Sequence, residues 1–228
     1  MCIRDRVTAG RPANAPVRRI AAASLWLQRT RRQKLLQAIT SILDGLNKTA
    51  ARFEDDYRLF RANVPTRRHA MRGTAVGKAC LSARRRLAAL FEVGEDPYWS
   101  HRYVLGGRQL KRRAALVGAA RLQDILVNVV FPILLLYVRR ARPELESALL
   151  MLYHATPKGS DNKVTRQMRH RLFGAQAEPL GPETAALRQG LHQLFKDFCS
   201  KDSGGCIGCR FRENLDHWIE RRDAGLPG

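Results

Sequence analysis

The sequence predicts an all-α fold, an irregular multi-helix bundle closed by a small cysteine-rich knuckle near its C-terminal end. Three observations support that class. Apolar residues recur every three or four positions in most segments, proline and glycine fall at the joints between segments, and no convincing alternating set marks a sheet.

Asn14 and Pro16 start the first pattern, because proline is tolerated in a first helical turn, where its missing N–H is no loss. Ile20, Ala23 and Leu27, then Leu35, Ile39, Ile42, Leu43 and Leu46, continue at helical spacing. A second amphipathic stretch carries Phe53, Tyr57 and Phe60 and ends before Pro65. A third spans Thr74 to Phe91, with Val76, Cys80, Leu87, Leu90 and Phe91 on its apolar side and Arg84, Arg85 and Arg86 across the turn; Gly94 and Pro97 close it. Tyr98 to Gly107 reads as a loop packed by its aromatic residues. A long helical run follows from Gln109 to Arg140, broken or kinked near Pro132. Pro143 starts a helix through Tyr153, ended by Pro157 and Gly159. Ser160 or Asp161 caps the next, Lys163 to Phe173, which Gly174 stops, and Pro182 opens a last helix that runs into Cys199.

The chain has 228 residues, enough to bury a core as one large domain or two small ones. Residues 1–6 resemble a translated sequencing adapter, which would place the native entry at Val7. Residues 7–198 read as a helical domain and 199–228 as a cysteine cluster with a terminal helix. The 41 Lys and Arg against 20 Asp and Glu give a net charge of +21. A field of that sign attracts polyanions, nucleic acid above all. A GC-rich genome would also inflate arginine, and 33 of the 41 cations are Arg, but the carboxylates have not risen alongside. Arg18, Arg19, Arg31, Arg32, Arg84, Arg85, Arg86, Lys111, Arg112 and Arg113 are the expected phosphate contacts. The stretch Ile125 to Val138 contains Asn128 and Pro132 and falls short of the roughly 20 apolar residues a bilayer requires, so it reads as a core helix and no membrane partner is expected. The N-terminal region carries no secretory apolar segment, which points to the cytoplasm.

The most specific chemical signal is Cys199-x6-Cys206-x2-Cys209. A C-x2-C pair presents two thiolates from one tight turn, Ser203, Gly204 and Gly205 permit a sharp chain path, and Cys199 arrives from a helix end. A structural zinc or an iron–sulfur cluster needs four ligands. His217 is the first candidate for the fourth, with His192 and Cys80 behind it. The spacing coincides with the first three cysteines of the cluster loop in endonuclease-three-like glycosylases, but Leu215 stands where that loop has its fourth, and their helix-hairpin-helix signature is absent.

No catalytic set emerges. Glu54, Asp55 and Asp56 form the densest acidic run, on a polar helix face. His69, His101, His154 and His170 lack i, i+4 pairing, and Gly106-Gly107 lacks the Lys-Ser/Thr of a phosphate-cradling loop.

Several segments, in order, resemble a known family. They are Arg11-Pro12-Ala13-Asn14-Ala15-Pro16-Val17-Arg18-Arg19-Ile20-Ala21, Tyr98-Trp99 through Tyr103 and Gly106, Asp124 to Asn128 through Pro132, Asn162 to Gly174, and Gln189-Gly190-Leu191 through Phe198-Cys199 to Cys206-Ile207-Gly208-Cys209. This order is similar to that of the bacterial domain-of-unknown-function family DUF2851, from about Gly10 to Cys209. The resemblance implies a helical C-terminal half whose N-terminal half, loosely like a restriction-endonuclease core, would carry any acidic catalytic motif. After Cys209 the chain departs from the family's tail with Arg210-Phe211-Arg212 and an extra helix.

The sequence therefore reads as a nucleic-acid-binding accessory half of a nuclease-like bacterial protein, non-catalytic in itself, with a structural cysteine metal site and with nucleic acid and the N-terminal half as partners. The alternative is a protein-interaction scaffold with no nucleic-acid role, docking a partner or the missing half through Ile125 to Val138.

Overall fold

The computed structural model describes residues 15–31, 34–53, 73–159, 162–174, 184–200, 206, 208–211, 214, 215 and 217. They are helices and loops, with no strand among the described residues, so the all-α class holds. The stretch around Tyr57 and Phe60, the adapter-like start, Pro182 and the proposed caps Ser160 and Asp161 lie outside the described residues. The chain divides into two compact units, Met1–Gly159 and Ser160–Gly228.

In the first unit, α1 runs Pro16–Thr30, α2 Leu35–Arg52 and α3 Ala75–Phe91. The buried residues of α2 are Ile39, Ile42, Leu43, Leu46 and Ala50, and those of α3 are Val76, Cys80, Ala83 and Leu87; each set is one helical stripe. These stripes face one another and a third helix, α6 (Glu146–Ala155), which contributes Ala148, Leu149, Met151 and Leu152. A 3-10 turn, Pro143–Leu145, feeds α6, and Leu145 is fully buried. Arg142, just before that turn, donates to Asp44 of α2 at 2.9 Å and to Glu144.

Thr74 caps α3 by accepting from the Gly77 N–H at 3.0 Å, which satisfies one of the first-turn donors. Thr74→Ala is expected to lower stability by about 1 kcal/mol and Thr74→Ser by only a few tenths. Denaturation midpoints measured on both variants check this.

Cys80 sits in the α2–α3 core, and burial pushes its thiol up to about 12. A raised thiol leaves the neutral form in place below the ordinary value of 9.0, and the associated stability is lost only as pH climbs from there toward 12. In the folded chain at pH 8, Cys80 should therefore resist a thiol reagent that modifies exposed Cys206 at once. Mass spectrometry of the labelled peptides reads the order, and equal labelling would contradict the packing.

The long apolar run differs from the sequence expectation in two ways. It begins at Ala119, not Gln109, and it is one continuous rod through Ala141: α4 (Ala119–Ile125), a π turn (Leu126–Val130) and α5 (Phe131–Ala141). Pro132 lies in the first turn of α5, immediately after the π turn. A proline inside a regular helix loses its own bond to residue i−4 and clashes with that carbonyl; the wider π turn gives that carbonyl room. The rod has 23 residues and contains an 18-residue window of mean hydropathy 1.7, so by length and composition it could cross a membrane, contrary to the shorter stretch read from the sequence. One of its faces is core: Leu126, Val127, Val130, Phe131, Leu134 and Val138 are buried.

The second unit contains α7 (Lys163–Phe173) and α8 (Ala185–Leu194), which pack together, and a π turn, Phe195–Cys199, that extends α8. The cap of α7 is Asn162, in a capping box with Thr165: each side chain takes the other's backbone N–H, at 2.9 and 3.0 Å. Gly174 ends the helix at φ +55, a left-handed backbone that glycine adopts without strain.

Candidate nucleic-acid interface

The sequence between Asp96 and Asp124 contains no carboxylate, and from Pro97 to Gly118 it carries Arg102, Arg108, Lys111, Arg112 and Arg113. The structure folds this stretch into an ordered loop. Asp96 opens it, its Oδ1 accepting from the N–H groups of Tyr98 and Trp99 at 3.0 and 2.7 Å, while Ser100 Oγ accepts from Asp96 N–H at 3.0 Å. The returning limb is tied to the outgoing one by Leu110 N–H to His101 C=O at 2.8 Å and Ala114 N–H to Ser100 C=O at 2.9 Å. These cross-loop bonds occupy the backbone around Lys111–Arg113, which is why the run is loop and not the start of the next helix. At the tip, Gly106 has φ +65 and donates its N–H to the Tyr98 hydroxyl at 2.7 Å. A Cβ on Gly107 would come within 2.7 Å of Val104 Cγ2, so both glycines are required.

Helix α1 holds the base of the loop. Arg18 is 2% exposed; its Nη2 donates to Ala114 C=O at 2.8 Å and Trp99 C=O at 3.3 Å, and its guanidinium lies over the Tyr103 ring at 5.1 Å. Arg18 is therefore a buried clamp joining both limbs, and not an exposed phosphate contact. The same helix is fixed to the end of α3, where Trp26 Nε1 donates to Leu90 C=O at 3.1 Å, Arg29 donates to Glu92 C=O at 2.7 Å and Trp26 stacks on Phe91. These donors satisfy carbonyls at a helix end that have no partner within the helix.

The other expected phosphate contacts separate into groups. Lys111 and Arg112 are exposed, as is Arg108, which the sequence reading passed over; none of the three has a hydrogen-bond or ion-pair partner among the described residues. Arg113 is exposed but paired with Glu95, and Arg102 stacks over Tyr98 at 4.7 Å. Arg19, Arg31, Arg85 and Arg86 are exposed, Arg84 is half-buried and engaged, and Arg32 lies outside the described residues. Two runs named from the sequence do come together, since Arg18 bonds the carbonyl of the residue that follows Arg113.

The expected metal ligands do not. Cys199 and Cys209 are half-buried thiols, Cys206 and His217 are exposed, and no group of three His, Cys, Asp or Glu able to hold an ion forms among the described residues. His192 Nε2 lies 3.1 Å from Asn162 Nδ2, and partial burial with Arg188 nearby lowers its pKa. Cys80 is spent in the core.

Residues 68–162 match the family model described as "Protein of unknown function (DUF2851)". Over that segment the chain is similar to the DUF2851 family. The matched segment is shorter than half of the 228-residue chain and narrower than the Gly10–Cys209 span of the ordered motifs. It takes in α3, the basic loop, the α4–α5 rod and α6, whereas the Arg18 clamp enters from outside it. No curated protein and no solved structure matches the chain.

Proposed function

We propose that the chain binds nucleic acid through the loop at 97–118, the site of contact being Arg108, Lys111 and Arg112. The observation that carries this reading is the loop itself: five cations with no carboxylate between them, on a backbone braced by Arg18 and the Asp96 turn. The braced loop presents its three unpaired cations at little further entropic cost, and a phosphate chain can neutralise them together. Such contacts hold and orient the backbone without reading bases, so the binding has no sequence preference. In this reading the chain is accessory to a nuclease-like core supplied by another part of the same protein. Titrating fluorescent single- and double-stranded oligonucleotides with the native chain tests the proposal. Saturable binding to oligonucleotides of unrelated sequence is expected, and no binding at low salt would end it.

A further inference from the structure

In the first unit, beside the base of the basic loop, α1 and the α4–α5 rod line a cleft of about 450 Å³, to which Leu116 and Val117 at the loop's end also contribute. Ala23 and Trp26 of α1, Ile125 and Val129 of the rod, and Phe91 at the end of α3 are among the residues that line it. Apart from Arg18, Arg19 and Arg121 every lining residue is apolar. Arg19 and Arg121 are exposed and have no hydrogen-bond or ion-pair partner among the described residues.

The apolar surface continues beyond the cleft. Ile20 and Leu27 share the face of Ala23 on α1, at i−3 and i+4, and Ile133 and Leu136 continue from Val129 at i+4 and i+7. These four are 66%, 59%, 60% and 67% exposed, in that order, on a chain whose charge would otherwise favour a polar surface. From Ile125 to Leu136 the stripe runs about 16 Å, three helical turns.

We propose that this groove docks an amphipathic helix of a partner polypeptide, about three turns long, with an apolar stripe facing the cleft and Asp or Glu on its flanks to meet Arg19 and Arg121. The length of the stripe exceeds what a small ligand in the cleft would cover, and helix-in-groove docking uses i, i+3, i+4 and i+7 anchors of this kind. Charge selects among the remaining occupants. A second copy would set Arg19 and Arg121 against another +21 chain, and a flat bilayer would leave the concave cleft unfilled.

The test uses the full chain and two labelled synthetic helices of about 14 residues with the same leucine stripe, one flanked by Glu and one by Lys. Anisotropy titration should show the Glu peptide binding at least about tenfold more tightly. Arg19→Glu with Arg121→Glu should invert that preference, and Val129→Asp should abolish binding of both peptides; circular dichroism melts check that these exposed substitutions leave the fold intact. Equal affinity for the two peptides, or an uninverted preference in the double variant, overturns the proposal. So does binding to anionic phospholipid vesicles without binding to either peptide, or a dimer whose formation Val129→Asp prevents.

Discussion

Arg18→Met is expected to destabilise the chain by about 4 kcal/mol, the sum of two charged hydrogen bonds at about 1.5 kcal/mol or more each and a cation–π contact near 1 kcal/mol. Methionine fills much of the volume but leaves the carbonyls of Trp99 and Ala114 without their buried donor. Against a typical domain stability of about 5–15 kcal/mol, that is a large share. Arg18→Lys should rescue only part of the loss, because an ammonium on a shorter stem has no planar guanidinium to lie over the Tyr103 ring. Denaturant midpoints give the stability. Limited trypsin digestion gives the locus, since a released loop should be cut first at Arg108, Lys111 and Arg112. An Arg18→Met chain that melts with the native protein and is cut at the same rate would refute the clamp.

The contrast between Arg18 and its neighbours shows where sequence reading stops. The stripes of α2 and α3 were legible because each is local: Ile39, Ile42, Leu43 and Leu46 recur on one face, and Thr74 precedes α3 as a residue that bonds its own first turn. The aromatic loop was legible as a loop from its Gly-Gly pair. Arg18 was not legible as a clamp, because its partners lie 81 and 96 residues away and a buried arginine has the same letter as a surface one. The helical start at Gln109 failed for a related reason. Helical spacing continues through Leu110 to Leu116, but the carbonyls of His101 and Ser100 take the N–H groups of Leu110 and Ala114. The carboxylate-free run from Pro97 was present in the sequence and would have singled out Arg108. The cysteine spacing gave a ligand count without a geometry, and the described residues do not gather the thiols.

The second large effect concerns binding. Arg108→Ala, Lys111→Ala and Arg112→Ala together should weaken oligonucleotide binding on the order of 10³-fold at 50 mM salt, because three lost duplex contacts remove about 2.7 from the log–log salt slope. Reversal of all three to Glu should abolish binding, since the loop would then repel phosphate. The three side chains are exposed and unpaired, so the fold should be unaffected. Arg113→Ala is the internal control: its pairing with Glu95 already occupies it, and its loss should cost far less. The salt dependence of duplex binding, measured on the native chain and the triple alanine variant, tests the central claim most directly. The native chain should show log K falling linearly with log salt, with a slope of about −3 or steeper, and the triple variant should flatten it by about 2.7. Identical slopes in the two proteins, or a native slope near zero, would contradict a nucleic-acid interface on this loop.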